Sequence, residues 1–364
     1  MVTVLIFLAV LFVLVLVHEW GHYITAKLTG MRVDEFAIGF PPKVVSWKKG
    51  ETTYSLNLLP VGGFVRIYGE DLTEEVAASA DSPRAFGARP KLAQAVVLVA
   101  GVTMNVLFAW FLFVIMLTVG VPTQVEENMA TDAAELTVAG VLPNSPAEGV
   151  LTPNMVITAV SAGSDTLTKP APSEFSDFIA AHAGQPVTIT TVLDAETREV
   201  VAVPVTGLIE SSPDRAAVGV SLSYIEVVSQ PFGSALVQAA VQTGEATKRI
   251  AVGLYTLVHN AVIGQADFKQ VAGPIGIVKY VGDAAAIGFM SVLYFTAIIS
   301  LNLAVINLLP IPALDGGRLV FVAIETVMRR PIPPVWAARV NLAGFAFLML
   351  LMLAATLHDV WKLF

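Results

Sequence analysis

The sequence has no cysteine and few charged residues. With no cysteine among 364 residues, the chain cannot form a disulfide or offer a thiolate, so a transition metal would have to bind to His, Asp or Glu. Charged residues make up 14% of the chain and hydrophobic residues 55%. This balance excludes an ordinary soluble protein and indicates a membrane protein with several spans.

Basic residues are too few for a nucleic-acid-binding surface. The chain has 21 Lys and Arg against 29 Asp and Glu, which gives a formal net charge of −8. No run rich in Lys or Arg interrupts this pattern. The composition therefore argues against nucleic acid as a partner.

Long apolar segments predict about four transmembrane helices. Each is close to the twenty or so residues that cross a bilayer core. The first lacks a basic n-region and a convincing cleavage site, so we predict a retained span and not a signal peptide. The predicted spans are residues 1–28, 92–121, 289–309 and 336–357.

The connections between the spans differ in charge. The segments 29–91 and 310–335 carry most of the basic residues and are predicted to face the cytoplasm, while the long acidic connection faces the opposite side. Within the latter, strand-like runs predict a β-rich domain over residues 122–210, followed by a helical segment over 211–288. Residues 358–364 form a C-terminal tail.

The first predicted span ends in the sequence HEWGH. Histidines at positions i and i+4 lie on one face of a helix, so His18 and His22 can bind one zinc ion. Glu19 follows the first histidine and can act as the general base on a water molecule. Because ionisable groups are costly in a bilayer, a purely structural role is disfavoured.

A third ligand is available in the segment NLLPIPALDGG. Pro310 and Pro312 must interrupt the helix there. Asp315 is the candidate ligand, although an Asp-Gly pair is also common in turns. Asn307 could donate hydrogen bonds to a developing oxyanion, or it could cap the broken helix.

Several segments together resemble the bacterial site-two proteases, an intramembrane zinc metalloprotease family whose regulator of sigma-E protease type carries PDZ domains. In chain order they are HEWGH, FAIGFPPKVVSWKKGETTYSLNLLPVGGFVRIYGED, AGVTMN and SLNLAVINLLPIPALDGGR. The order of strands and helix in residues 122–210, with NSPAEGV, resembles a PDZ domain. It departs from that family at Asn154 and Met155, where Gly-Asp is usual. The chain has room for one such domain, whereas well-known members carry two.

The resemblance implies a polytopic α-helical membrane protein with a membrane re-entrant β region and one inserted PDZ-like domain. It implies one zinc ion bound by His18, His22 and Asp315, with Glu19 as base and Asn307 assisting catalysis. It also implies substrate contacts at the AGVTMN motif and at a short strand whose open edge pairs with extended substrate. These residues are Asn105, Gly62, Gly63, Phe64 and Val65. From the residues alone, Gly62 and Gly63 could equally form a turn.

The implied substrates are single-span membrane proteins, such as anti-sigma factors or signal-peptide remnants, already cut by a site-one protease. The implied location is the bacterial inner membrane, with the PDZ-like domain outside and the active site towards the cytoplasm. Two other functions fit the composition. A zinc transporter would need ligands distributed along a path, and a catalytically silent receptor would be expected to lack Glu19 or one ligand.

Overall fold

The computed structural model describes residues 2–70, 81–193, 196–209, 212–265 and 273–362. The chain divides into two compact units, the first built from residues 1–116 and 231–364 and the second from residues 117–230. Four helices of the described chain are long and apolar enough to cross a membrane. Their number agrees with the sequence, and the spans end within a few residues of the predicted limits.

The first unit is mainly helical. It contains long apolar helices, more amphipathic helices and one pair of long strands. The helices are α1 (Val2–Leu28), α2 (Lys91–Val119), α4 (Phe232–Val262), α5 (Pro274–Ile287), α6 (Phe289–Asn307), α7 (Asp315–Met328) and α8 (Pro334–Trp361), and the strands are β1 (Val33–Lys49) and β2 (Thr52–Ile67).

Strands β1 and β2 form a curled antiparallel pair beside α1. The first half of β1 lies between the two ends of β2, so that Phe36 faces both Tyr54 and Val65. The far end of the pair exposes large apolar side chains, as expected of a β segment that dips into lipid. These exposed side chains are Phe40, Val44, Val45, Trp47, Leu56, Leu58 and Leu59.

Aromatic side chains attach the β pair to α1. The hydroxyls of Tyr23 and Tyr54 lie 2.6 Å apart, and Phe36 packs edge-on against both Trp20 and Tyr23. Since Trp20 and Tyr23 lie directly beside the two histidines in the chain, this packing fixes the position of β2 relative to the HEWGH turn.

The second unit contains an antiparallel sheet and one helix, α3 (Pro172–Ala181). The sheet order is β3-β9-β4-β5-β7-β8, with β6 paired to β5. Its core includes Leu136, Ile157, Phe175 and Ile189, each at most 2% exposed. The strands are β3 (Val121–Gln124), β4 (Glu135–Val141), β5 (Val156–Ala162), β6 (Asp165–Thr168), β7 (Val187–Leu193), β8 (Glu196–Ala202) and β9 (Val220–Val228).

Three predicted segments differ from the structure. One is the predicted C-terminal tail, residues 358–364, because α8 continues to Trp361. Residues 211–288 were expected to be helical, but Val220–Val228 is a strand paired with β4 and β3. Its apolar residues Val220, Leu222 and Tyr224 alternate with serines, and this period of two favours a strand over a helix. Residues 310–335 were expected to be a loop, but Asp315–Met328 is a helix. There the Asp-Gly-Gly sequence begins a helix and does not form an isolated turn.

The short helix α5 lies across the ends of two spans that are remote from the histidines. A Cβ on Gly282 would lie 2.6 Å from the Thr3 side chain of α1. The carboxylate of Asp359 in α8 accepts hydrogen bonds from the backbone N–H groups of Gly273 and Gly276, at 3.1 and 2.8 Å. Asp359 thus caps α5 from another helix and satisfies N–H groups that the helix itself leaves unpaired.

Charged residues tie the end of α1 to the turn between β1 and β2. The Glu51 carboxylate accepts hydrogen bonds from Lys27 at 2.5 Å and from Arg84 at 2.8 Å through both terminal nitrogens. These two cations, Arg84 foremost, lower the pKa of the Glu51 carboxyl to about 2. The charge pair therefore stabilises the folded state only while Glu51 is ionised.

We expect Glu51→Gln to lower the free energy of unfolding by about 1 kcal/mol at pH 7, since a partly exposed pair is screened by solvent. Because the pKa of Glu51 is lower in the folded protein than its ordinary value of 4.5, the contribution is complete above that pH and is lost as the pH falls towards 2. Thermal unfolding in detergent from pH 7 to pH 2 should show the difference from wild type shrinking. The control Glu245→Gln removes an exposed helical pair with Arg249 and should change little at any pH.

Candidate metal centre

Three potential metal ligands converge from two distant parts of the chain. His18 and His22 lie one turn apart on α1, and Asp315 is the first residue of α7. Nε2 of His18 lies 3.2 Å from Nε2 of His22, and Asp315 Oδ2 lies 3.1 and 3.3 Å from these two atoms. The structure therefore brings together all three predicted ligands.

The spacing of the three atoms fits a tetrahedral ion. Zinc bonds of about 2.0–2.1 Å at tetrahedral angles place neighbouring ligand atoms about 3.3–3.4 Å apart. Two imidazole nitrogens and one carboxylate oxygen are also the ligand types that a catalytic zinc uses, with the fourth position left for water or substrate. Both the donor atoms and their separations therefore fit zinc.

The proton on His22 supports the same conclusion. Its Nδ1 lies 2.8 Å from the backbone carbonyl oxygen of Val97, which can only accept a hydrogen bond, so Nδ1 carries the proton. In the neutral ring Nε2 then presents a lone pair towards His18 and Asp315. Lone pairs directed at one point repel each other unless a cation lies between them. Val97 thus orients His22 as backbone carbonyls commonly orient metal-binding histidines.

Asp315 reaches the site because the chain is broken between α6 and α7. Helix α6 ends at Asn307, and the segment containing Pro310 and Pro312 is not helical. Gly316 packs so closely on this segment that a Cβ there would lie 2.2 Å from the Leu309 carbonyl oxygen. The absence of a side chain therefore lets α7 begin directly beneath the break.

Glu19 lies beside the last residues of β2. Glu19 and Val65 line the same cavity. A Cβ on Gly63 would lie 3.2 Å from Glu19 Cγ and 2.9 Å from the Ala37 carbonyl oxygen. The β2 segment thus lies directly against the candidate base.

A cavity of about 620 Å³ opens onto the three ligands and Glu19. The last residues of β2 line one side, and Leu342 and Phe345 of α8 line another. Arg318, which pairs with Glu70, also lines the wall. The cavity therefore offers both apolar surface and charged groups around the candidate ligands.

The structure assigns three predicted substrate-binding residues to other contacts. A Cβ on Gly62 would lie 2.4 Å from the Phe40 ring, so Gly62, like Gly63, makes room for the protein's own atoms. Asn105 is fully buried and its amide lies 3.3 Å from His18 Nδ1, which leaves it no surface for substrate. Phe64 and Val65 do line the cavity.

The predicted catalytic residue Asn307 lies close to the ligands. As the last residue of α6, it places its amide nitrogen 3.4 Å from His18 Nε2. This position is compatible with a role at the reacting carbonyl, which stays a prediction. Asn302, one turn earlier, instead donates to the Ile298 carbonyl oxygen of its own helix.

Sequence reasoning missed Gly101 and Val97 on α2. A Cβ on Gly101 would lie 2.3 Å from His22 Nε2 and 2.8 Å from His18 Cε1, so both rings need this glycine. The available signal was the spacing in AGVTMN, since Gly101 and Asn105 are four residues apart and share one helix face. The Val97 carbonyl left no signal, because any residue supplies one.

Comparison with known proteins gives one family for almost the whole chain. The model of Peptidase family M50 matches residues 6–351. A Clostridium perfringens protein, provisionally named as a zinc metalloprotease, is 34% identical over 95% of both chains. The regulator of sigma-W protease RasP of Bacillus subtilis is 29% identical over 100% of this chain and 99% of its own. The PDZ domain of an SdrC-like protein from Listeria monocytogenes is 19% identical, with a TM-score of 0.21, over 26% of this chain and 90% of its own.

The family match and the described helices and strands agree with the predicted fold class of a polytopic helical membrane protein with a curled β region and an inserted β-rich unit. Both named zinc metalloprotease relatives match this chain over nearly their full lengths.

We expect Gly101→Ala to lower zinc affinity at least about tenfold, because the added methyl group occupies the position of the His22 ring and the packed helices resist displacement. Zinc retained after dialysis against a chelator, measured by elemental analysis, tests this. The control Gly253→Ala adds the same group where a Cβ meets nothing within 4 Å, and it should retain wild-type zinc. Equal retention in both variants would contradict the assigned packing.

Proposed function

The chain belongs to peptidase family M50, the site-two proteases, and is a zinc metalloprotease; from that premise we propose that it hydrolyses peptide bonds within or near the transmembrane segment of single-span membrane proteins. The observation that carries this proposal is the meeting of His18, His22 and Asp315 beside Glu19 within the membrane-spanning part of the fold.

We assign one zinc ion to these three residues. Bound there, zinc supplies a Lewis acid that lowers the pKa of a water molecule and polarises the scissile carbonyl. Glu19 accepts the proton of the attacking water on a carboxylate oxygen and delivers it to the nitrogen of the leaving amine. The Asn307 amide N–H donates to the carbonyl oxygen as negative charge develops on it.

Strand β2 is suited to present substrate to these groups. A helical substrate hides its carbonyls in i to i+4 hydrogen bonds, so the scissile segment must become extended. Among the described residues the end of β2 pairs with β1 on one side only, so its other edge can pair with an extended peptide by strand addition. Phe64 and Val65 line the cavity where that peptide would lie.

The distribution of ligands favours hydrolysis over transport. All three candidate ligand atoms lie within 4.8 Å of one another, whereas a transport path needs successive binding sites. A silent receptor has no need for Glu19 beside such a centre. The groups required for hydrolysis are thus in one place.

We place the enzyme in the bacterial inner membrane, with its PDZ-like unit outside and its active site towards the cytoplasm. The relative from Bacillus subtilis is named as a regulator of a sigma factor. By analogy, the substrates are anti-sigma factors or signal-peptide remnants that a site-one protease has already trimmed. The PDZ-like unit would restrict cleavage to such trimmed substrates.

We expect Glu19→Gln to lower the rate of cleavage of a single-span model substrate by about 10²- to 10⁴-fold, because the amide cannot accept the proton of water. Zinc content should stay at the wild-type level, since Glu19 is not a ligand in this assignment. His18→Ala serves as the contrasting variant and should lose both zinc and cleavage. Unchanged cleavage by Glu19→Gln would contradict the proposed role of the carboxylate.

A further inference from the structure

Asn105 is a buried polar residue that the proposed mechanism does not use. Its exposed fraction is 0%, and its amide nitrogen lies 3.3 Å from His18 Nδ1. Its Oδ1 is buried and has no hydrogen-bond partner among the residues that the structure describes. A buried amide without its hydrogen bonds lowers the stability of a membrane-embedded helix, so the presence of this residue needs an explanation.

The backbone of Asn105 is held in place from a second helix. The Ser300 hydroxyl of α6, also fully buried, donates to the Asn105 carbonyl oxygen at 2.8 Å. On the other side of the same turn, Gly101 touches both imidazole rings. The Asn105 side chain is therefore fixed opposite Nδ1 of His18, on the side of the ring away from Asp315.

Zinc binding determines where the proton of His18 must be. A neutral imidazole has one N–H group, and a nitrogen that binds metal must offer its lone pair. Because Nε2 of His18 faces His22 and Asp315, Nδ1 must carry the proton when zinc is bound. An amide N–H directed at Nδ1 would then oppose another donor.

A half-turn of the amide removes this conflict. The oxygen and nitrogen of an amide are nearly isosteric, so rotation exchanges them without changing the packing. Oδ1 then replaces the nitrogen opposite Nδ1, and its acceptor capacity, which no other group claims, is used. The Val97 carbonyl makes the equivalent contact with Nδ1 of His22.

We propose that Asn105 is a positioning residue whose Oδ1 accepts a hydrogen bond from Nδ1–H of His18 and so selects the tautomer that binds zinc. This inference rests on the proposed metalloprotease function. It gives the two histidines matching supports from α2, a backbone carbonyl for His22 and a side-chain amide for His18. Asn105 acts through His18 and does not touch the substrate.

Zinc affinity tests the proposal directly on the full-length protein in detergent. Asn105→Leu keeps similar volume but removes the acceptor, and it should lower zinc affinity about 10- to 100-fold in competition with a chelator. Asn105→Asp keeps an acceptor and has no N–H to donate, so its affinity should stay close to wild type. The control Asn302→Leu removes an amide that bonds within its own helix and should leave zinc affinity unchanged.

Each result has one meaning. Wild-type affinity in a folded Asn105→Leu protein would overturn the proposal, and so would equal losses in the Leu and Asp variants, which would indicate packing alone. If the Leu variant does not fold, retained affinity in Asn105→Asp supports the acceptor role and its loss overturns it. A wild-type protein that binds zinc but cleaves no substrate would refute the proposed function and leave this inference standing. A wild-type protein that binds no zinc would overturn both.

Discussion

The close approach of α1 and α2 is the constraint on which the metal centre depends. At Gly21 a Cβ would lie 2.5 Å from the Ala100 carbonyl oxygen, and at Gly101 it would lie 2.3 Å from His22. With side chains at these positions the helices would separate, and Val97 and Asn105 would no longer reach the imidazoles. Small residues at helix contacts in membranes commonly allow close packing. Here they also determine the orientation of the His18 and His22 rings.

The second requirement is a break in the helical path between Asn307 and Asp315. A continuous helix would carry Asp315 about 12 Å beyond Asn307, away from the histidines. Two prolines end α6, and Gly316 and Gly317 let α7 pack directly on the carbonyls of the broken segment. Irregular backbone is tolerated within a membrane where it lines a cavity, and Ala313 of this segment lines the cavity that opens onto the ligands. The site thus combines one rigid helical pair with one chain reversal.

Local motifs predicted the candidate ligands, and long-range packing accounts for what sequence reasoning missed. The i, i+4 spacing of His18 and His22 follows from helix geometry, so a single segment was sufficient to predict their shared face. The apolar runs likewise predicted four spans. The role of Gly101 depends on which helix lies next to α1, and β9 joins a sheet whose other strands lie far along the chain. A local sequence pattern shows neither relation. The close contact between Gly62 and Phe40 likewise depends on how β1 and β2 pair.

The cap that Asp359 places on α5 has a consequence for how the protein is made. The three candidate ligands, Glu19, Asn105 and Asn307 all belong to the first 315 residues, so these groups can meet before the final span has left the ribosome. The contacts that join α5 to α8 require Asp359, which is synthesised later. The end of the bundle remote from the histidines therefore closes last, and until then the main partners of α5 among the described elements are α1 and α6. Membrane insertion of α8 is thus the event that completes this layer during biogenesis.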